Sequence, residues 1–86
     1  MSAEKVLTIN RAEFTVYVQL LDEGTVVYRP VSAVKEQDGV CVIAGIEIFD
    51  REIETWEFEP GSRVTYELRK FDGEVLPVAT SLASSP

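Results

Sequence analysis

The chain has no histidine, a single cysteine and no long apolar run. Each absence closes off a class of function. Without histidine the protein lacks the commonest general base and the commonest metal ligand, and the one side chain that titrates near neutrality unperturbed. A serine or cysteine nucleophile would have no imidazole to activate it. Cys41 alone cannot form an intrachain disulfide, which fits a reducing compartment. No segment approaches the roughly 20 apolar residues that span a bilayer. The opening residues, MSAEKVLTINRAE, lack the apolar stretch of a secretory signal, so the expected location is the cytoplasm, away from membranes. Glycine-rich phosphate loops and calcium-loop spacing are missing too. We therefore expect no catalytic residue, no cofactor and no metal.

What is present is a small acidic domain. Eighty-six residues suit one hydrophobic core, near the lower size limit for independent stability. A 45% hydrophobic content argues against disorder. The net charge of −7 would repel nucleic acid and attract a basic protein.

A period of two dominates the pattern. In Glu13–Leu21, Phe14, Val16, Val18 and Leu20 share one face and Thr15, Tyr17 and Gln19 the other, as in a strand with one buried side. Asp22-Glu23-Gly24 forms a turn. The run TVVYRPVSAVK alternates again, with Pro30 marking an edge or bend. After Gln37-Asp38-Gly39, the apolar Val40–Ile46 reads as a central strand covered on both faces. Glu59-Pro60-Gly61-Ser62 is a turn by composition. Next, SRVTYELRKF places Val64, Tyr66 and Leu68 inward. Asp72-Gly73 is the strongest hairpin signal, and it leads into EVLPVATSL, where Pro77 points to an edge. The fold expected is all-β: a small antiparallel five-stranded barrel or rolled sheet, SH3-like in preference to OB-like. Its core spans 13–80, after a partly ordered N-terminal extension (1–12) and before a frayed tail (81–86).

Residues 47–59 break the pattern, with six acids against one arginine. A connecting segment with an irregular strand fits best, pinned by Trp56 and Phe58, although helical spacing also occurs. Its acids, Glu52, Glu54 and Glu57 among them, form either a solvated face or a docking surface for a basic partner. Arg29, presented at a proline bend, either recognises a carboxylate or phosphate ligand or pairs internally with one of these acids. Tyr17, Tyr28, Trp56 and Tyr66 either line an aromatic groove or fill the core. Cys41, inside an apolar strand, reads as inert. Carboxylate pairs such as Glu52 with Glu54 have no evident cleft for acid-base work.

Two segments, YVQLLDEGTVVYRPV and WEFEPGSRV, followed by DGEVLPVA, resemble a group of short bacterial proteins that pair LLDEGT…[WY]RPV with WEFxPGxxV. The resemblance runs from Tyr17 onward and implies a bacterial origin and a common fold. It carries no catalytic residue. YRPV also resembles the WYRAxV strand of Tudor-like barrels, over too few residues to imply a ligand. The function expected is a non-enzymatic interaction module that docks a basic protein through its acidic surface. The alternative is a small-molecule or peptide sensor using Arg29 and nearby aromatics. A homodimer through uncovered strand edges is also open.

Overall fold

A computed structural model describes residues 13–83. The extension expected over 1–12 and the last three tail residues lie outside the described residues. The chain is all-β, with strands β1 (Glu13–Leu21), β2 (Val27–Gln37), β3 (Val40–Ile43), β4 (Thr55–Trp56), β5 (Arg63–Phe71) and β6 (Glu74–Leu82). No helix occurs among the described residues.

Five of the six strands close into a ring. β1 pairs β2, β2 pairs β3, β3 pairs β5 and β5 pairs β6, each antiparallel. β6 then returns to β1 in parallel through one pair of residues, Tyr17 and Val78. The sixth strand, β4, is the irregular piece expected within 47–59, added to the end of β1 at Leu20–Trp56 and Leu21–Thr55. β6 continues to Leu82, two residues beyond the expected domain end.

Burial follows the alternation of β1. Val16, Val18 and Leu20 are buried and Phe14 packs against the core. Val31 and Ala33 from β2, Cys41 and Ile43 from β3, Val64 from β5 and Ala79 from β6 join them. Trp56 and Phe58, from the 44–62 connection, fill the space left by the small residues. Glycine suits position 45, where the chain leaves β3 with φ +84°, a conformation that side chains rarely adopt. The Asp72-Gly73 turn has positive φ at both residues (49° and 86°), the type I′ geometry that suits the twist of a hairpin. Pro60-Gly61 makes the expected turn, closed by the Ser62 amide on the Glu59 carbonyl at 3.0 Å.

Both proline expectations correspond to strand stretches paired on one side. β3 pairs β2 only from Ala33 onward, so Pro30 faces β1 alone. Pro77 pairs with Leu68 of β5, one residue before the bridge to β1.

Two readings need correction. Val40–Ile46 is not one long strand: β3 ends at Ile43, and Ile46 is 71% exposed in a turn. Leu68 does not point into the core but is 68% exposed. β3 pairs β5 only from Arg63 to Thr65, so the alternation continues beyond the barrel and Leu68 has nothing to pack under.

Ile43→Ala is expected to cost about 2–5 kcal/mol, because its pocket is walled by other core side chains. Leu68→Ala should stay within about 0.5 kcal/mol. Urea denaturation followed by far-ultraviolet circular dichroism distinguishes the two.

Candidate functional site

The expected site residues separate into two places. Arg29, Glu54 and Trp56 come together at the end of the barrel formed by the β1–β2 turn and the 44–62 connection. Tyr17 and Tyr28 lie on the outer wall.

The first group is a latch. Arg29 is opposite Val18 on β1, so it shares the inner face with Val31 but sits at the mouth. Its guanidinium grips Glu54 with both arms: Nε donates to Oε1 at 2.7 Å and Nη2 donates to Oε2. The Trp56 indole Nε1 donates to the same Oε1 at 3.0 Å. The guanidinium and the indole hold the Glu54 carboxyl below the usual carboxylate range, and Glu54 in turn raises the Arg29 pKa. Arg29 is therefore internally paired, the structural alternative of the two sequence readings. Trp56 is 2% exposed and cannot touch a ligand, which corrects its place among binding residues. Phe49 meets its ring edge-on at 5.0 Å, and Arg51 lies over Phe49 at 5.8 Å while bonding Glu59 at 2.9 Å.

Around this latch the backbone turns twice. The Ile48 amide bonds the Gly45 carbonyl, and the Ile53 and Glu54 amides share the Asp50 carbonyl, each at 3.0 Å. These turns push Ile46, Ile48 and Ile53 outward, at 71%, 51% and 75% exposure. Glu47, Asp50, Glu52 and Glu57 are exposed among them and form no ion pair among the described residues. Leu21 and Val26, also exposed, belong to the same end through the β1–β4 pairing and the neighbouring turn. Sequence reasoning found the acids and missed the isoleucines as a surface, because Ile46 and Ile48 alternate as in a strand while Ile48 and Ile53 fall at helical spacing. Ile48, Ile53, Asp50, Glu54 and Arg29 line a shallow recess of about 160 Å³ here.

Charge is segregated in the same way. Asp22, Glu23 and the six acids of 47–59 face only Arg29 and Arg51, leaving six of the chain's seven net negative charges at this end.

The second group is a satellite cluster. Tyr28 meets Phe71 of the β5–β6 hairpin, ring centroids 5.7 Å apart, and Tyr17 and Leu76 complete a small hollow of about 180 Å³. Tyr17, expected as an exposed ring, is half-buried beneath the hairpin. Tyr66 belongs to neither group; it pairs with Phe14 at 5.1 Å, at the opposite end of the barrel. The four-ring aromatic groove therefore does not form.

Cys41 is fully buried, and burial pushes its thiol up to about 11, so at neutral pH it is a core side chain and not a nucleophile. Among the described residues no group of three acids or thiols gathers to hold a metal ion.

Glu54→Gln should destabilise the fold by about 1–2 kcal/mol, discounted for the half-exposed arginine. Because the folded pKa of Glu54 is depressed, its contribution is complete above the ordinary glutamate value of about 4.3 and is lost as pH falls through the folded value. Urea midpoints at pH 7 and pH 3 should therefore fall further in the parent than in Glu54→Gln.

Compared with family models, curated proteins and solved structures, the chain matches none.

Proposed function

We propose that this protein is a non-enzymatic docking module, in a bacterial cytoplasm, whose acidic end holds a basic amphipathic segment of a protein partner. The observation that supports this is the coincidence of two surfaces. Five exposed aliphatic side chains (Leu21, Val26, Ile46, Ile48, Ile53) and six uncompensated negative charges share one end of the barrel. An exposed aliphatic residue alone needs no explanation, but several gathered at one site mark an interaction surface. Acids between them select a cationic partner and speed its encounter.

The recess beside Arg29 offers an anchor point, with Ile48 and Ile53 as apolar walls and Asp50 on the rim. An apolar side chain flanked by lysines or arginines fits it. Glu47, Glu52 and Glu57, exposed on the same connection, would supply carboxylates to those cations. Tyr17, Tyr28 and Trp56 have no part in this surface. The sensor alternative is weaker, since the arginine it requires is held by Glu54 and the tryptophan is buried. The chain-order meander of the ring supports an SH3-like reading over an OB-like one.

The test uses a defined probe, a synthetic amphipathic peptide alternating leucine and lysine. Nitrogen–proton correlation spectra should show shifts concentrated in residues 44–57. Binding should weaken at least about tenfold between about 0.05 M and about 0.5 M salt. Ile53→Asp, and separately the Glu47→Lys, Glu52→Lys, Glu57→Lys triple variant, should each reduce affinity about tenfold or more. Shifts spread evenly over the barrel, or affinity indifferent to both variants, would overturn the assignment.

A further inference from the structure

The end of the barrel opposite the acids carries a different surface. There the β2–β3 turn, the start of β1 and the base of the β5–β6 hairpin enclose a groove of about 530 Å³. Phe14, Tyr66, Leu68 and Pro77 form its apolar wall. The wall does not stop at the groove. Leu68 pairs with Pro77 and Lys70 with Val75, so strand alternation places Val75 on the same hairpin face. Val75 is 58% exposed, and the opposite face of the hairpin is the one that packs Phe71 on Tyr28. An apolar stripe thus runs from Phe14 to Val75.

Beside it, backbone is left without a partner. β3 pairs β5 only as far as Thr65, and one further bond joins the Tyr66 amide to the Gly39 carbonyl at 2.9 Å. From Glu67 to Phe71, the side of β5 away from β6 has no strand partner among the described residues. An edge of this kind is a template for another strand.

We infer that this face is a self-association surface, and that its occupant is a second copy of this chain. Charge decides between a copy and a foreign partner. The stripe is electrically balanced, with Glu13 and Asp38 against Lys35 and Lys70, while the strongly negative end lies at the other pole. It is therefore the face on which two copies, each carrying −7, meet with least repulsion. Its ends are also complementary to each other. Lys35 and Asp38 pair internally at 3.0 Å, which leaves Glu13 at the groove end and Lys70 at the hairpin end without an ion pair among the described residues. A two-fold axis near Leu68 sets the Glu13 of each copy toward the Lys70 of the other, as an isologous contact requires.

Sedimentation equilibrium of the full chain tests this. A concentration-dependent monomer–dimer equilibrium is expected, changed by less than about threefold between about 0.05 M and about 0.5 M salt, because the acidic poles lie beyond a Debye length of each other and the exposed Glu13–Lys70 contacts contribute little. That near-indifference contrasts with the loss of about tenfold or more expected for the basic peptide, so the two readings fail separately. Leu68→Asp should weaken the dimer at least about tenfold, with Val75→Asp as the second variant should Leu68→Asp fail to fold. Lys70→Glu should weaken it as well, and adding Glu13→Lys should restore it. Ile53→Asp, at the other pole, should leave it intact. A monomer at every concentration, as when the N-terminal twelve residues cover the groove, overturns the inference. So does a dimer that ignores Leu68→Asp or dissociates in Ile53→Asp.

Discussion

Five strands laid down in chain order, each antiparallel to the one before, leave the first and last pointing the same way. A ring built from them closes only through a parallel pair. Parallel bonds are slanted and somewhat weaker, and the run from β5 to β6 is a tight hairpin with no crossover to reinforce the seam. Here the seam is a single residue pair, Tyr17 with Val78. Much of the remaining architecture compensates for that weakness. The bulge between Thr65 and Tyr66 of the β5–β6 ladder bends the hairpin, whose other face packs Phe71 and Leu76 against Tyr28 and Tyr17. Val78 is 1% exposed yet lies outside the main core cluster, and it shares a strand face with Leu76. The seam is held by side chains where the backbone supplies one contact.

The same economy explains the acidic end. The strands put small side chains into the core at Ala33, Cys41 and Ala79, and the 44–62 connection adds the large rings of Trp56 and Phe58 to it. A connection that delivers two large rings inward must turn its other residues outward. Glu54 fixes its position by accepting from Arg29 on the barrel wall and from Trp56 on the connection itself. Removing that carboxylate would strand the buried indole donor as well as the arginine, so the latch resists loss on two counts. Arg29 is thereby committed to an internal pair through Nε and Nη2.

The strands were legible because half-burial writes a period of two into the chain, and Asp72-Gly73 and Pro60-Gly61 specify their turns locally. Alternation reports which face a side chain is on, and not how far the covering layer extends. Leu68 illustrates the limit: its face is correct, and the layer that would bury it ends at Thr65. Arg29 illustrates another. Its sequence context offered the six acids of 47–59, and only the register that sets it opposite Val18, together with the docking of Trp56, selects Glu54. Tyr17 stood on the outer face as its spacing indicates, but half-buried by a hairpin more than fifty residues away in the chain. The acids were visible as composition. The isoleucines among them became a surface only when the two turns showed that they face no strand.

A small barrel can bury only what its interior holds. With Trp56 and Phe58 in place, the core has no position for Ile46, Ile48 or Ile53, and the hairpin has none for Leu68 or Val75. In a domain this size each of these half- to three-quarters-exposed side chains forgoes part of the roughly 1.5–3 kcal/mol that full burial would give a marginal fold. Their distribution is not even: one set lies among uncompensated acids and the other beside a balanced stripe with an open strand edge. On the readings proposed above, the two surfaces would take different partners, a cation-rich segment for the first and an identical face for the second. Because they occupy opposite ends of the barrel, neither contact obstructs the other, and a dimer would present two acidic ends facing outward.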